Sequence, residues 1–141
     1  MDVLKVNKYN LNLLEIFVSN LGDAALSFRY FAKRDISIVL KHEVTLLILL
    51  KGQPVAYGHL EKEKEIIWLG LCVLPNYQQL GFGKSMMKLL MQSAIDLDIK
   101  NISLSVDVDN ILAIKLYEKF GFKRINYDKS EYYIYNLIIN T

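Results

Sequence analysis

Leu71-Cys72-Val73-Leu74-Pro75-Asn76-Tyr77-Gln78-Gln79-Leu80-Gly81-Phe82-Gly83-Lys84 is the stretch around which the rest of the chain is organised. An apolar run stops at Pro75, a polar turn follows, and two glycines open a segment whose apolar residues recur at helical spacing. The pattern predicts a strand, a glycine-containing turn and a helix N-terminus. Unpaired N–H groups at such a turn, with the helix dipole behind them, suit a phosphate. Gly81 and Gly83 allow an approach that side chains would block. Two nucleotide loops are excluded by spacing. A dinucleotide fingerprint needs Gly-x-Gly-x-x-Gly, and a triphosphate loop ending at Gly83-Lys84-Ser85 needs an upstream glycine where the chain has Gln79 or earlier non-glycine residues.

Working outward, Ile66 to Val73 reads as a strand, preceded by a charged turn at Lys62 to Glu65. Val55 to Glu61 and Val44 to Leu50 are two more strands, joined by the turn Lys51-Gly52-Gln53-Pro54. Short turns between three strands imply an antiparallel meander. Downstream, Met87, Leu90, Met91, Ala94 and Ile95 mark a helix face ending near Asp98. Ile102 to Val106 is a strand reached by a crossover long enough for parallel pairing. Ile111 to Phe120 is a helix closed by Gly121, and Phe122 to Tyr127 and Tyr132 to Ile138 are a final pair of strands. At the other end, Val3 to Val6 suits a strand, and Leu11, Leu14, Phe17, Val18 and Leu21 a helix stopped at Gly22. Ala24 to Arg34 admits two readings, an amphipathic helix or a substrate-facing wall of aromatic and basic residues. The expected fold is α/β (mixed, α+β-like), a central sheet of about seven strands with helices on both faces, in one domain spanning residues 1–141.

Composition supports a globular chain: 52% hydrophobic and 23% charged residues. A net charge of +2 gives no reason to expect nucleic acid as a partner. No apolar run reaches the length of a membrane span, and the N-terminus lacks a signal-peptide pattern, so a cytoplasmic location is expected and no membrane partner. Cys72 reads as a small buried hydrophobe in a reducing compartment. His42, His59 and Cys72 lack ligand spacing, so no metal is expected. Ser85 has no Asp–His arrangement near it in sequence. A homodimer is compatible with the sequence, which marks no interface for one.

The glycine segment resembles the acetyl-CoA pyrophosphate loop of the GNAT superfamily of N-acetyltransferases, Gln/Arg-x-x-Gly-x-Gly/Ala after a Leu-x-Val strand. Leu71, Val73, Gln78, Gly81 and Gly83 match it. A second segment, Asn-x-x-Ala-x-x-Leu-Tyr-x-x-x-Gly-Phe, is matched by Asn110, Ala113, Leu116, Tyr117, Gly121 and Phe122. The resemblance covers roughly residues 42–138. It implies acetyl-CoA as co-substrate, with pantetheine in a gap between the strand of Leu71 and Val73 and the strand beginning at Ile102. The cofactor contacts it implies are Leu71, Cys72, Val73, the loop residues Gln78, Gln79, Leu80, Gly81, Phe82, Gly83 and Lys84, then Asn110 and Tyr117.

Bottom-up readings stand beside these. Gln78 either fixes its own loop or bonds a phosphate oxygen. Lys84 either assists the phosphate or is solvated. Asn110 is a sensible N-cap ahead of Ile111. Tyr117 lies on an apolar helical stripe with Ala113, Leu116 and Phe120. By resemblance its hydroxyl protonates the departing thiolate, which a phenol of ordinary acidity suits.

Many family members place a carboxylate in the strand before the loop, where this chain has Trp68, Leu69 and Gly70. The base is therefore sought elsewhere. Val55, Tyr57, His59 and Glu61 share a strand face. His59, alone or through water, is the first candidate, with Asp107 and Glu61 behind it. For the acceptor, the Phe28-Arg29-Tyr30-Phe31 and Lys33-Arg34 stretch, with Tyr57-Gly58-His59-Leu60, resembles small bacterial GNAT enzymes that acetylate amino sugars in cell-surface polysaccharide synthesis. The expected acceptor is a small-molecule amine, a nucleotide-linked amino sugar, contacted by Phe28, Arg29, Tyr30, Arg34, Tyr57, His59, Glu61 and Trp68. The alternatives are protein N-terminal acetylation of the ribosomal-protein kind and an acyl-CoA-binding module without turnover.

Overall fold

The strands over 44–50 and 66–73 are rich in Leu, Ile and Val, and helices cover both sides of the sheet they belong to. The computed structural model describes residues 1–127 and 131–140. Among these, seven strands make one sheet in the order β1-β2-β3-β4-β5-β7-β6. β1 (Asp2–Lys5), β2 (Val44–Leu50), β3 (Gln53–Glu63) and β4 (Ile66–Val73) pair antiparallel in succession, the meander the turns imply. β5 (Asn101–Asp107) runs parallel to β4, and β7 (Tyr132–Ile138) lies between β5 and the short β6 (Lys123–Arg124). The expected mixed sheet is therefore present.

Alternate residues of β2 serve opposite faces, as the two-residue period requires. Leu46 and Ile48 join the core under α2 (Phe82–Asp96) and α3 (Ile111–Lys119), with Met86, Met87 and Leu90. Leu47 joins the second core under α1 (Leu11–Ser19), with Leu14, Phe17 and Tyr57. Leu47 and Leu90 are fully buried, and truncating either to alanine costs about 2–5 kcal/mol.

The β4–β5 contact positions the site. Its register holds a single pair, Trp68 with Ser103. Beyond Trp68, β4 pairs only with β3, so the two parallel strands part toward their carboxyl ends. α2 and α3 both begin at that opening. In open α/β sheets this is where ligands bind.

Two expectations need correction. Ala24 to Arg34 is not a helix: a 3-10 turn covers Gly22–Leu26, and bends and turns follow until a second 3-10 segment, Ile36–Lys41. The reason is side-chain direction. Phe28, Tyr30 and Phe31 all turn toward Tyr57 or His59, with ring centroids 4.6–5.5 Å apart. A helix advancing about 100° per residue would send residues 28 and 30 to opposite sides. The strand expected over Phe122 to Tyr127 is regular only at Lys123–Arg124. One more backbone bond follows, Ile125 N to Ile134 O, and then the Asn126 side-chain amide takes over, its Oδ1 accepting from Ile134 N at 2.6 Å.

Candidate active site

The β4–α2 turn is built locally. Gly81 caps α2 with φ +93°, a left-handed conformation that L side chains rarely adopt. Gln78 Nε2 donates to Val73 O at 3.1 Å, so its side chain fixes the loop, one of its two sequence readings. At Gly83 an added Cβ would lie 3.2 Å from Leu116 Cδ2, which keeps α2 and α3 close. A cavity of about 550 Å³ opens here between β4, the α2 N-terminus and α3. Leu71, Cys72, Val73, Gln78, Gln79, Gly81, Gly83, Lys84, Asn110 and Tyr117 all line it. Leu80 and Phe82 do not: Leu80 faces solvent, and Phe82 packs edge-on to Tyr77 and joins the core. Asn110 Oδ1 accepts from Ala113 N at 3.4 Å, the cap expected of it. The free N–H groups of a helix start, the glycine cradle and the unpaired edge of β4 fit the pyrophosphate and pantetheine of acetyl-CoA.

A second cavity, of about 430 Å³, lies against the first and shares Ser27, Phe28, Leu71, Asn110 and Tyr117 with it. Tyr117 thus stands where the two meet. Among the described residues no buried side-chain N or O lacks a partner, and the Tyr117 hydroxyl has none there, so it reaches the cavity surface. Burial pushes its pKa up and keeps the phenol protonated.

The wall of the second cavity is assembled over long sequence distances. Tyr30 Oη donates to Glu61 Oε2 at 2.8 Å, since a carboxylate can only accept. The same oxygen lies 2.7 Å from His42 Nε2, which must therefore carry the hydrogen and donate. His42 Nδ1 then accepts from Thr45 Oγ1 at 2.8 Å. Burial, with the nearby charge of Arg34, pushes His42 down to about 4. Its 3.7 Å approach to Glu61 is consequently not an ion pair at neutral pH.

The arginines expected to meet an anion are both engaged. Arg29 forms a two-pronged pair with Asp107, at 2.8 and 3.1 Å, which raises its pKa through hydrogen bonding and charge. Arg34 lies 4.3 Å over the Tyr30 ring and donates to Tyr30 O. Phe28, Arg29, Tyr30, Arg34, His59, Glu61 and Trp68 line this cavity, as does Glu63. Tyr57 does not line it. It is fully buried behind His59, and its hydroxyl lies 2.5 Å from His59 Nδ1.

Gly70, at the level where a carboxylate was sought, faces His59 across β3 and β4. An added Cβ there would come within 2.5 Å of His59 Cε1 and Nε2, so the imidazole occupies the space a side chain at residue 70 would fill. The strand glycine was a sequence signal for such an approach, and the meander turn sets the register that pairs it with His59. His42 and Thr45 carried no such signal. Among the described residues no cluster of His, Cys, Asp or Glu suits a metal ion, and no helix is long and apolar enough to cross a membrane.

Residues 11–122 match the acetyltransferase (GNAT) family. The chain belongs to that family. The fold of this GNAT domain is similar to that of the GNAT domain of S. lividans PAT, with a TM-score of 0.83 at 14% identity, over 97% of this chain and 89% of that one. It is also similar to the ribosomal-protein-S18-alanine N-acetyltransferase from Escherichia coli, with a TM-score of 0.73 at 16% identity, over 99% and 94%. In sequence the GNAT chain is 42% identical over 59 residues to a spermine/spermidine N(1)-acetyltransferase of Bacillus subtilis (strain 168). That match takes in 40% of this chain and 39% of the relative, so the matched part spans well under half of the curated relative.

Proposed function

We propose that this chain transfers the acetyl group of acetyl-CoA to the primary amine of a small molecule. The observation that carries the reading is the position of Tyr117 at the junction of two cavities, one fitted to the cofactor and the other walled by Glu61. Acetyl-CoA supplies the thioester. Glu61, directly or through water, receives the proton the amine must lose, and the amine nitrogen then bonds to the acetyl carbon. As the carbon–sulfur bond breaks, Tyr117 Oη gives its proton to the departing thiolate. The unpaired backbone of β4 orients the thioester arm.

Two acceptor classes have support. With Arg29 neutralised by Asp107 and Arg34 laid on Tyr30, Glu61 and Glu63 leave the cavity acidic, which suits a polyamine, the substrate named for the Bacillus subtilis relative. The Tyr30 and Trp68 rings, with the Arg34 guanidinium beside them, suit instead the sugar face and phosphate of a nucleotide-linked amino sugar. The test is thiol release from acetyl-CoA in the presence of polyamines, free and nucleotide-linked amino sugars, and N-terminal peptides. Turnover of a small amine supports the proposal. Turnover of peptides alone overturns it, and acetyl-CoA binding without turnover of any amine would make the chain a binding module.

A further inference from the structure

His59 sits in the acceptor cavity, yet its environment does not make a base of it. Its Nδ1 lies 2.5 Å from Tyr57 Oη. The Tyr57 side chain is fully buried, and Phe17, Phe28 and Phe31 pack on it with ring centroids 5.4–5.8 Å from its own. His59 Nδ1 is its hydrogen-bond partner among the described residues. A hydroxyl has one hydrogen to donate, and a buried donor without an acceptor is costly. If His59 carried its hydrogen on Nδ1, the Tyr57 hydrogen would be buried with no acceptor among the described residues. If Tyr57 donates instead, both groups are satisfied, and the imidazole hydrogen must sit on Nε2.

Nε2 faces the other way. It packs over Gly70, and among the described residues it has no hydrogen-bond partner, although no buried side-chain N or O there is left unpaired. It therefore opens on the cavity that Glu61, Trp68 and Tyr117 also line. We infer that Tyr57 locks His59 as the Nε2–H tautomer, so that His59 presents a hydrogen-bond donor to the acceptor and does not take its proton.

Two further features agree. Burial holds the His59 pKa well below its ordinary value, and His42, 4.4 Å away between ring centroids, and Arg34 add to that effect. Tyr30, the other ring against His59 on this side, is held protonated by burial and by its bond to Glu61. A proton passed through His59 would reach Tyr57, which is buried and has no onward partner, so that route has no exit. Glu61 keeps a partly exposed carboxylate and needs no such relay.

The inference rests on the acceptor cavity proposed above and separates its two substrate classes. A donor needs a lone pair. Every nitrogen of a polyamine arrives as an ammonium donor, whereas an amine flanked by hydroxyl or carbonyl oxygen supplies an acceptor atom. His59 thus selects the oxygen-bearing class.

The chain has two histidines, so long-range proton–nitrogen correlation spectra of the untagged, nitrogen-15-labelled protein resolve both, with His42→Gln assigning them. The expected result for His59 is an Nε2–H imidazole that does not titrate between about pH 6 and 8. Tyr57→Phe should abolish the tautomer preference. An Nδ1–H imidazole in the wild type, or an imidazolium within that range, overturns the inference. In the transfer assay, turnover of polyamines alone overturns the selection of the oxygen-bearing class. With the best-used oxygen-bearing amine of the panel, His59→Leu should raise the acceptor KM about tenfold, the size of one lost hydrogen bond. His59→Gln, which retains an N–H donor, should restore part of it. Neither variant should change the KM for acetyl-CoA or the acidic limb of the pH profile. An unchanged acceptor KM in His59→Leu, or loss of the acidic limb, overturns the donor role. Failure of the whole amine panel counts against the transferase reading and leaves the tautomer to be read in the protein alone.

Discussion

The two cavities that meet at Tyr117 are made in different ways. The side fitted to the cofactor takes most of its lining from one continuous stretch, the end of β4, the loop from Gln78 and the first turn of α2, with α3 closing it through Asn110 and Tyr117. The groups it offers include the backbone N–H of a helix start and the unpaired edge of β4, and the Gln78 side chain holds that backbone in shape through Val73 O. The acceptor side joins Arg29 to Asp107, and Tyr30 to His42 and Glu61. No two of those partners are close in sequence, and each supplies a side-chain atom. A backbone-built site tolerates side-chain change but not a change of φ. A network-built site tolerates backbone variation but not the loss of one atom.

Perturbing the network side should give the largest effect. Glu61→Gln keeps an acceptor for Tyr30 Oη but removes the charge and the basicity, and should lower kcat/KM by about 10³-fold. Calorimetric affinity for acetyl-CoA should stay within error, and a parallel loss there would erase the distinction between the two sides.

The same network should make the fold acid-sensitive. His42 is pushed down to about 4 from an ordinary 6.5, so the unfolded chain binds the proton more readily than the folded one. Its contribution is fully present above about pH 6.5 and lost as the pH falls toward 4. Denaturant titrations of wild type and His42→Gln across that window should show a flatter pH dependence in the variant. Equal slopes would mean that His42 takes up its proton as readily in the folded protein as in the unfolded chain.

At the junction, Tyr117→Phe keeps the ring against Phe122 but removes the proton, and should reduce kcat about 10²-fold with little change in acetyl-CoA affinity. Single-turnover rates would check this, and unaltered chemistry would leave Tyr117 as a core residue. The smallest effect is expected on the backbone-built side. Gly81→Val forces a β-branched residue into φ +93°, where open space around the site leaves only conformational strain. Acetyl-CoA affinity should fall about tenfold, in line with a strain of one to two kcal/mol, with acceptor KM unaffected.

The sequence by itself determined the α2 loop, the N-cap of α3, the meander and the parallel crossover. Each depends on residues a few positions apart: two glycines before an apolar stripe, Asn110 ahead of Ile111, turns of four residues. Local geometry is encoded locally, so Leu71 to Lys84 read correctly as strand, turn and helix start. Tertiary structure alone decided the acceptor wall. The Ala24 to Arg34 stretch carries helix-compatible spacing, yet burying Phe28, Tyr30 and Phe31 together against Tyr57 and His59 outweighs that local preference. The basic cluster promised an anion site, but Asp107, brought alongside by β5, claims Arg29. The inferred donor role of His59 likewise rests on a contact made in the folded chain, the Tyr57 hydroxyl 2.5 Å from its Nδ1. Side-chain period marks which residues share a face, whereas hydrogen-bond partners and burial exist only once distant segments have packed.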